Sequence, residues 1–181
     1  MSPELAAVIA ETVAEASFEE QQLGPRHHRY RERAIVESPA IADGLWDALS
    51  PHVAELGRWL ADSARSWERP VDEWRATGCN PRSRFYRYHP GTSYAPHRDA
   101  PWRPDAGTRS VLTVLVYLPS GDCVGGATRY GVDELIEPAD WRIAVFDHAV
   151  LHEGTPVERG RKLVLRNDVV ATWVGQVGSS R

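Results

Sequence analysis

SVLTVLVYL, residues 110–118, is β-branched and almost wholly apolar, as a fully buried strand is. Three more stretches read as strands around it: SRFYRYH (83–89), WRIAVFDH (141–148) and RKLVLRNDVVATW (161–173). Turn signals fall between them, in HPGT (89–92), PSGDCVGG (119–126) and ERGR (158–161). Upstream the pattern is helical. Ser2-Pro3 and Ser38-Pro39 each pair a capping residue with a proline suited to the first helical position. Leu5, Ile9, Val13 and Ala16 recur at helical spacing after the first, and Ile41, Leu45 and Leu49 after the second. Ser50-Pro51 reads as the start of a third helix carrying Val53, Leu56 and Leu60. Between the first two helices lies a polar, basic stretch, expected to be a solvated loop. Helices first and short strands after them indicate an α+β chain with a β-sandwich or barrel core. A doubly wound sheet is excluded, because helical patterns do not alternate with the strands.

The 181 residues fit one domain with a core of its own. We expect residues 1–79 to be a mainly helical support and 80–175 the β core. A net charge of −4 and scattered arginines argue against a nucleic-acid or anionic-membrane partner. No apolar run approaches the ~18 residues of a membrane span. The N-terminal residues carry acids and no basic region, unlike a secretory leader. Two cysteines, Cys79 and Cys123, make no disulfide framework, so a reducing, cytoplasmic setting is expected.

The chemistry concentrates in SYAPHRDAPW, residues 93–102. Residues two apart in a strand share a face, so His97 and Asp99 can point into a barrel together while Arg98 turns away. An imidazole and a carboxylate make two thirds of a metal site. FDHAVLHEG (146–154) offers two candidates for the third ligand, His148 and His152, and both lie on one face of an extended strand. Two histidines and one carboxylate leave three positions of an iron(II) ion open. A 2-oxo acid fills two of them and dioxygen the last. Lys162 stands ten residues beyond His152, at the start of an apolar strand. A lysine there could hold the far carboxylate of a dicarboxylic co-substrate, since a buried lysine is costly unless paired with an anion.

Taken together, YRYHPGTSYAPHRD, LTVLVYL, GGAT, VFDHAVLHEGTPVERGRK and LRNDVV resemble the Fe(II)- and 2-oxoglutarate-dependent dioxygenases of the prolyl 4-hydroxylase-like type. RERAIVESPAIADGLWDALSPHV (31–53) resembles the helical part of bacterial members. The resemblance implies a double-stranded β-helix, a cupin-like jelly roll, with N-terminal helices packed on it. It implies Fe(II), 2-oxoglutarate and dioxygen as cofactor and co-substrates. His97, Asp99 and His152 match the metal triad, His152 being preferred by its HEG context. Lys162 matches the base that pairs with the far carboxylate of 2-oxoglutarate. Tyr88 and Tyr117 match positions whose hydroxyls reach that carboxylate, and Arg166, on the same strand face as Lys162, touches the co-substrate, touches the primary substrate or pairs with Asp168.

Around this site, Trp102, Tyr94 and Arg98 are candidates for contact with the primary substrate. DAPWRPDAGTRS (99–110) reads as a lid, and Arg98, Arg103 and Arg109 would suit an anionic group if they face inward. The expected reaction is hydroxylation of an unactivated C–H bond in a small molecule, amino acid or peptidyl side chain, with release of succinate and carbon dioxide. The alternatives are a cupin-type metalloenzyme that uses no 2-oxoglutarate and a silent metal- and ligand-binding domain.

Overall fold

A computed structural model describes residues 1–21, 31–53, 56–60, 69–131 and 134–175. Helix α1 (Pro3–Glu15) begins as its sequence dictates, with the Ser2 hydroxyl accepting the Leu5 N–H. Helix α2 (Pro39–Val53) is capped in the same way, by Ser38 on the Ile41 N–H. The expected helix start at Ser50-Pro51 is absent, and Pro51 instead lies inside α2. The buried stripe Ile41, Leu45, Leu49 and Val53 continues across it at four-residue spacing, and that burial offsets the hydrogen bond proline cannot make. Residues Leu56–Trp59 are helical as well and are labelled α3.

Thirteen strands are present among the described residues. The first three are β1 (Glu19–Gln21), β2 (Arg31–Glu37) and β3 (Trp74–Cys79). Next come β4 (Arg82–Tyr88), β5 (Tyr94–His97), β6 (Thr108–Leu118), β7 (Val124–Gly125) and β8 (Thr128–Tyr130). The last are β9 (Glu134–Ile136), β10 (Ile143–Asp147), β11 (His152–Gly154), β12 (Val157–Arg159) and β13 (Lys162–Trp173). The major sheet runs β1-β2-β4-β13-β6-β10, with β3 also paired to β13, and the minor sheet runs β5-β11-β8-β9. β12 and β7 form a third, two-stranded pair. All these pairings are antiparallel, and the two main sheets make the jelly roll. The stretch expected to be a basic loop therefore includes a strand, β2, second from the edge of the major sheet. Its sequence, RERAIVE, gives little apolar signal, because its outer neighbour β1 is short and much of its surface stays wet.

The two faces of the major sheet have separate tasks. Phe85, Leu112, Val114, Val116, Leu163, Leu165 and Val169 share one cluster with Leu5, Ile9, Ile41, Leu45 and Val53 of the helices. On the opposite face Val164 lies in register with Tyr86 and Tyr117, and Arg166 with Arg84 and Leu115. That face carries Tyr88, Lys162 and Asp168 as well and looks toward the minor sheet. From Val111 on, β6 is apolar except for Thr113, because helices cover one side and the barrel interior the other.

A buried asparagine joins the β3–β4 turn to the central strand. The Asn167 side-chain amide donates to the Asn80 carbonyl at 2.8 Å and to the Ser83 hydroxyl at 3.0 Å. Its oxygen accepts the Asn80 N–H at 3.1 Å and the Asp168 N–H at 2.7 Å. Asn167→Ala removes these four bonds, with the Asn80 N–H keeping only the Asp168 carbonyl, and is expected to cost about 2–4 kcal/mol in urea unfolding. A loss below about 0.5 kcal/mol would show that water replaces the amide without penalty.

Candidate metal centre

β5 and β11 lie side by side in the minor sheet, with His97 directly opposite His152 and their ring centroids 4.1 Å apart. Asp99 follows two residues after His97, and its N–H donates to the His148 carbonyl at 2.9 Å. The Asp99 carboxylate reaches back to both rings, with Oδ1 3.8 Å from His97 Nε2 and Oδ2 3.7 Å from His152 Nε2. One donor atom from each of the three lies within 4.8 Å of the others. The ring tautomers follow from local geometry. His97 Nδ1 stands 3.0 Å from the Ala95 carbonyl and His152 Nδ1 3.0 Å from the Val150 carbonyl. A carbonyl only accepts, so Nδ1 carries the proton on both rings and Nε2 presents its lone pair to the centre. Burial, and then the neighbouring His152, push His97 down to about 4, so its ring is neutral at ordinary pH. Burial alone would raise Asp99. The charge of Arg166 and the hydrogen bond from Thr113 prevail and hold it below the usual carboxylate range. Two imidazoles and one carboxylate, clustered on one side, could hold a divalent ion with open positions left.

His148, the other candidate ligand, is buried behind Asp99. Thr113 donates its only proton to Asp99 Oδ2 at 2.6 Å. At 2.8 Å from His148 Nδ1, the same hydroxyl must therefore accept. His148 Nε2 then accepts from the Ser110 hydroxyl at 2.9 Å, and Ser110 Oγ accepts the Trp102 N–H at 2.8 Å. Burial lowers the His148 pKa, in keeping with a neutral ring. All four hydrogen bonds run one way, from the loop backbone at Trp102 to the carboxylate. On its other oxygen Asp99 meets Arg166 at 3.3 Å, and Arg166 also pairs with Asp168 at 3.0 Å.

A pocket opens in front of the three residues, and Tyr88, Tyr94, Thr128, Lys162 and Arg166 are in its wall. Lys162 is 6% exposed, with Nζ 5.3 Å from the Tyr88 ring centre and 5.4 Å from that of Tyr117. It forms no ion pair among the described residues, and burial pushes it down to about 8. The Tyr117 hydroxyl donates to Thr128 Oγ1 at 2.6 Å, joining β6 to β8. Gly126 lets the lysine stem pass. Its φ is +72°, and a Cβ there would stand 3.1 Å from Lys162 Cδ.

Other expected contacts lie elsewhere. Arg98 is exposed, as its position between two inward residues requires, and Arg103 is exposed in the following loop. Neither is in the pocket wall. Arg109 is buried at the Trp74 ring, also away from the wall. Trp102 is half-buried and meets the site only through its backbone. His27 and His28 lie outside the described residues.

Sequence reasoning missed Arg31. This β2 residue, 8% exposed, lines the pocket. Its guanidinium lies 4.3 Å from the Tyr86 ring centre and 4.2 Å from that of Tyr94. Its position inside a dense basic stretch hid it, and only the two-residue spacing to Arg33 hinted at a strand.

Residues 83–174 match the family model described as 2OG-Fe(II) oxygenase superfamily. No curated protein matches the chain. Among solved structures, a prolyl-4-hydroxylase of Pseudomonas putida is similar at 21% identity and a TM-score of 0.61, over 93% of this chain and 88% of that one. The viral collagen prolyl hydroxylase of Paramecium Bursaria Chlorella virus-1 is similar at 17% identity and a TM-score of 0.55, over 95% and 92%. An oxidoreductase of the 2OG-Fe(II) oxygenase family from Burkholderia pseudomallei gives 14% and 0.58, over 95% and 80%. These likenesses establish the jelly-roll fold. The family match spans about half of the chain, from β4 through β13, and on that ground the protein belongs to the 2OG-Fe(II) oxygenase superfamily, whose cofactor is iron(II) and whose co-substrates are 2-oxoglutarate and dioxygen.

Proposed function

We propose that this protein hydroxylates an unactivated C–H bond of a small molecule, amino acid or peptidyl side chain, with His97, Asp99 and His152 as metal ligands and Lys162 as the anchor of 2-oxoglutarate. The observation that carries this reading is the convergence of the three donors and an unpaired buried cation on one pocket. Iron(II) bound there supplies the redox chemistry with dioxygen, as 2-oxoglutarate is oxidised to succinate and carbon dioxide. The chain's own residues do the rest. Both histidines turn Nδ1 to a backbone carbonyl and so aim Nε2 at the centre. Thr113 and Arg166 fix the Asp99 carboxylate from two sides. Because Arg166 is engaged by Asp99 and Asp168, it orients a ligand and is not the grip for the co-substrate. That grip falls to the Lys162 ammonium, with Tyr88, Tyr117 and Thr128 around it. Leu115 and Val164 in the wall keep water from the reacting centre. Asp99 occupies the position a halogenase would leave to chloride, which favours oxygen insertion. Two of the similar structures are prolyl hydroxylases, which supports an amino-acid or peptidyl substrate among the classes named. No helix among the described residues is long and apolar enough to cross a membrane.

The direct test is anaerobic. Iron(II) and then 2-oxoglutarate added to the empty protein should produce a weak visible charge-transfer band, absent in His152→Ala and Asp99→Ala. A protein that binds iron yet never develops the band does not chelate the oxo acid, and the reading fails. Thr113→Val should weaken iron(II) binding by about 10–100-fold, measured by competition with a chelator, because it cuts the support of Asp99.

Lys162 adds a pH signature. Its folded pKa of about 8 lies below the 10.5 of the open chain, so between these values the unfolded state binds more protons. Stability of the empty protein should therefore rise with pH across that window, and Lys162→Met should abolish the rise. At pH 7 the same variant should melt several degrees higher than the parent and lose stabilisation by 2-oxoglutarate. A variant that melts lower but still responds to 2-oxoglutarate would remove Lys162 from the site.

A further inference from the structure

The pocket wall contains more positive charge than the co-substrate needs. Lys162, Arg166 and Arg31 all line it. Arg166 is neutralised by Asp99 and Asp168. Lys162 answers the far carboxylate of 2-oxoglutarate, whose other carboxylate belongs with the metal. Arg31 is left over. Its hydrogen bonds go to neutral acceptors, Gln21 Oε1 at 3.2 Å and the Tyr88 hydroxyl at 3.4 Å. No described carboxylate forms an ion pair with it, and Glu153, the other acid in the wall, is paired with Arg129 at 3.0 Å. The nine residues before Arg31 in the chain, 22–30, include no Asp or Glu. A cation that is 8% exposed and lacks a counter-ion among the described residues is costly to keep.

The guanidinium is also held in place. The rings of Tyr86 and Tyr94 pack against it, a use of arginine's planar group that leaves its N–H edge for an acceptor. Tyr94 packs edge-on against His97, with centroids 4.4 Å apart, so Arg31 is one ring removed from the metal ligands. Lys162 also meets Tyr88, its Nζ over the ring at 5.3 Å, whereas Arg31 reaches the hydroxyl of the same residue. One tyrosine thus borders two cations, of which the far carboxylate of the co-substrate uses one.

We propose that Arg31 anchors an anionic group of the primary substrate, which makes that substrate a small organic acid, a free amino acid being the simplest case. This rests on the oxygenase reading above and narrows its substrate class. A carboxylate can accept two parallel N–H bonds from the guanidinium edge, and such a pair fixes orientation as well as position. The bond to be oxidised is then set by the distance from carboxylate to metal, within a pocket closed at its far end by 2-oxoglutarate.

The test uses protein loaded anaerobically with iron(II) and 2-oxoglutarate. Free amino acids and simple monocarboxylic acids are added one at a time, each beside its carboxamide, and binding is read as a shift of the visible band. At least one acid should bind about tenfold or more tightly than its amide. Arg31→Gln should reduce that preference to about twofold or less, and Arg31→Lys should keep part of it. The affinity of Arg31→Gln for 2-oxoglutarate should stay within about threefold of the parent, which also reports an intact fold. If the band forms and no acid is preferred to its amide, the inference is overturned. It is equally overturned if Arg31→Gln keeps the preference, or weakens 2-oxoglutarate as strongly as Lys162→Met does, since Arg31 would then serve the co-substrate. Failure of the band itself brings down the oxygenase reading, and this inference with it.

Discussion

The antiparallel pairing of β13 with β6 is the constraint on which the molecule rests. Their register runs from Leu163 opposite Leu118 to Thr172 opposite Thr108, the longest ladder in the protein. Neither strand has a wet face over most of this length. Alternation then assigns Leu163, Leu165 and Val169 to the helix-covered core, and Lys162, Val164, Arg166 and Asp168 to the barrel interior. Stability and chemistry are interleaved one residue apart. A slip of one residue would put the lysine and arginine into the helical core and the leucines into the pocket, so the core enforces the site's register.

The same economy governs the ligands. His97 and His152 are neighbours across a ladder, and each points its Nδ1–H at a carbonyl two residues upstream. Two short strands thus aim two lone pairs with only backbone help. Asp99 lies beyond its strand, so side chains must hold it. Thr113 from β6 and Arg166 from β13 do so, and the buried charge of Arg166 is tolerable because Asp168 stands behind it. The minor sheet supplies the histidines, and the major sheet steadies the carboxylate.

Much of this was legible in the sequence. The two-residue spacing of His97 and Asp99 was a local signal that brought the right residues together, although the strand ends at His97 and Asp99 is held by Thr113 and Arg166. His148 and His152 have the same parity in an extended strand, but the chain turns between them, with His148 just after β10 and His152 opening β11; a hydroxyl pair from β6, remote in sequence, then holds His148 away from the centre. Arg31 was hidden for a related reason. A charged residue in a basic stretch looks solvated, and it is buried here by tyrosines from two distant strands. Pro51 misled in the opposite direction, since a proline that usually opens a helix sits inside one whose buried stripe outlasts it. The fold was readable where one element's own period decides it, and hidden where partners from elsewhere do.

The hydrogen bonds that descend from Trp102 through Ser110, His148 and Thr113 to Asp99 have a fixed direction. Reversing any one would leave two protons facing each other or none at all. The loop backbone at residue 102 and the carboxylate are therefore coupled in energy, and such coupling is reciprocal. An ion that draws Asp99 into place tightens the chain and with it the loop. A molecule that seats the loop returns the favour to the ion. The order of the loop and the order of the metal centre thereby reinforce each other, although the loop lies outside the pocket wall.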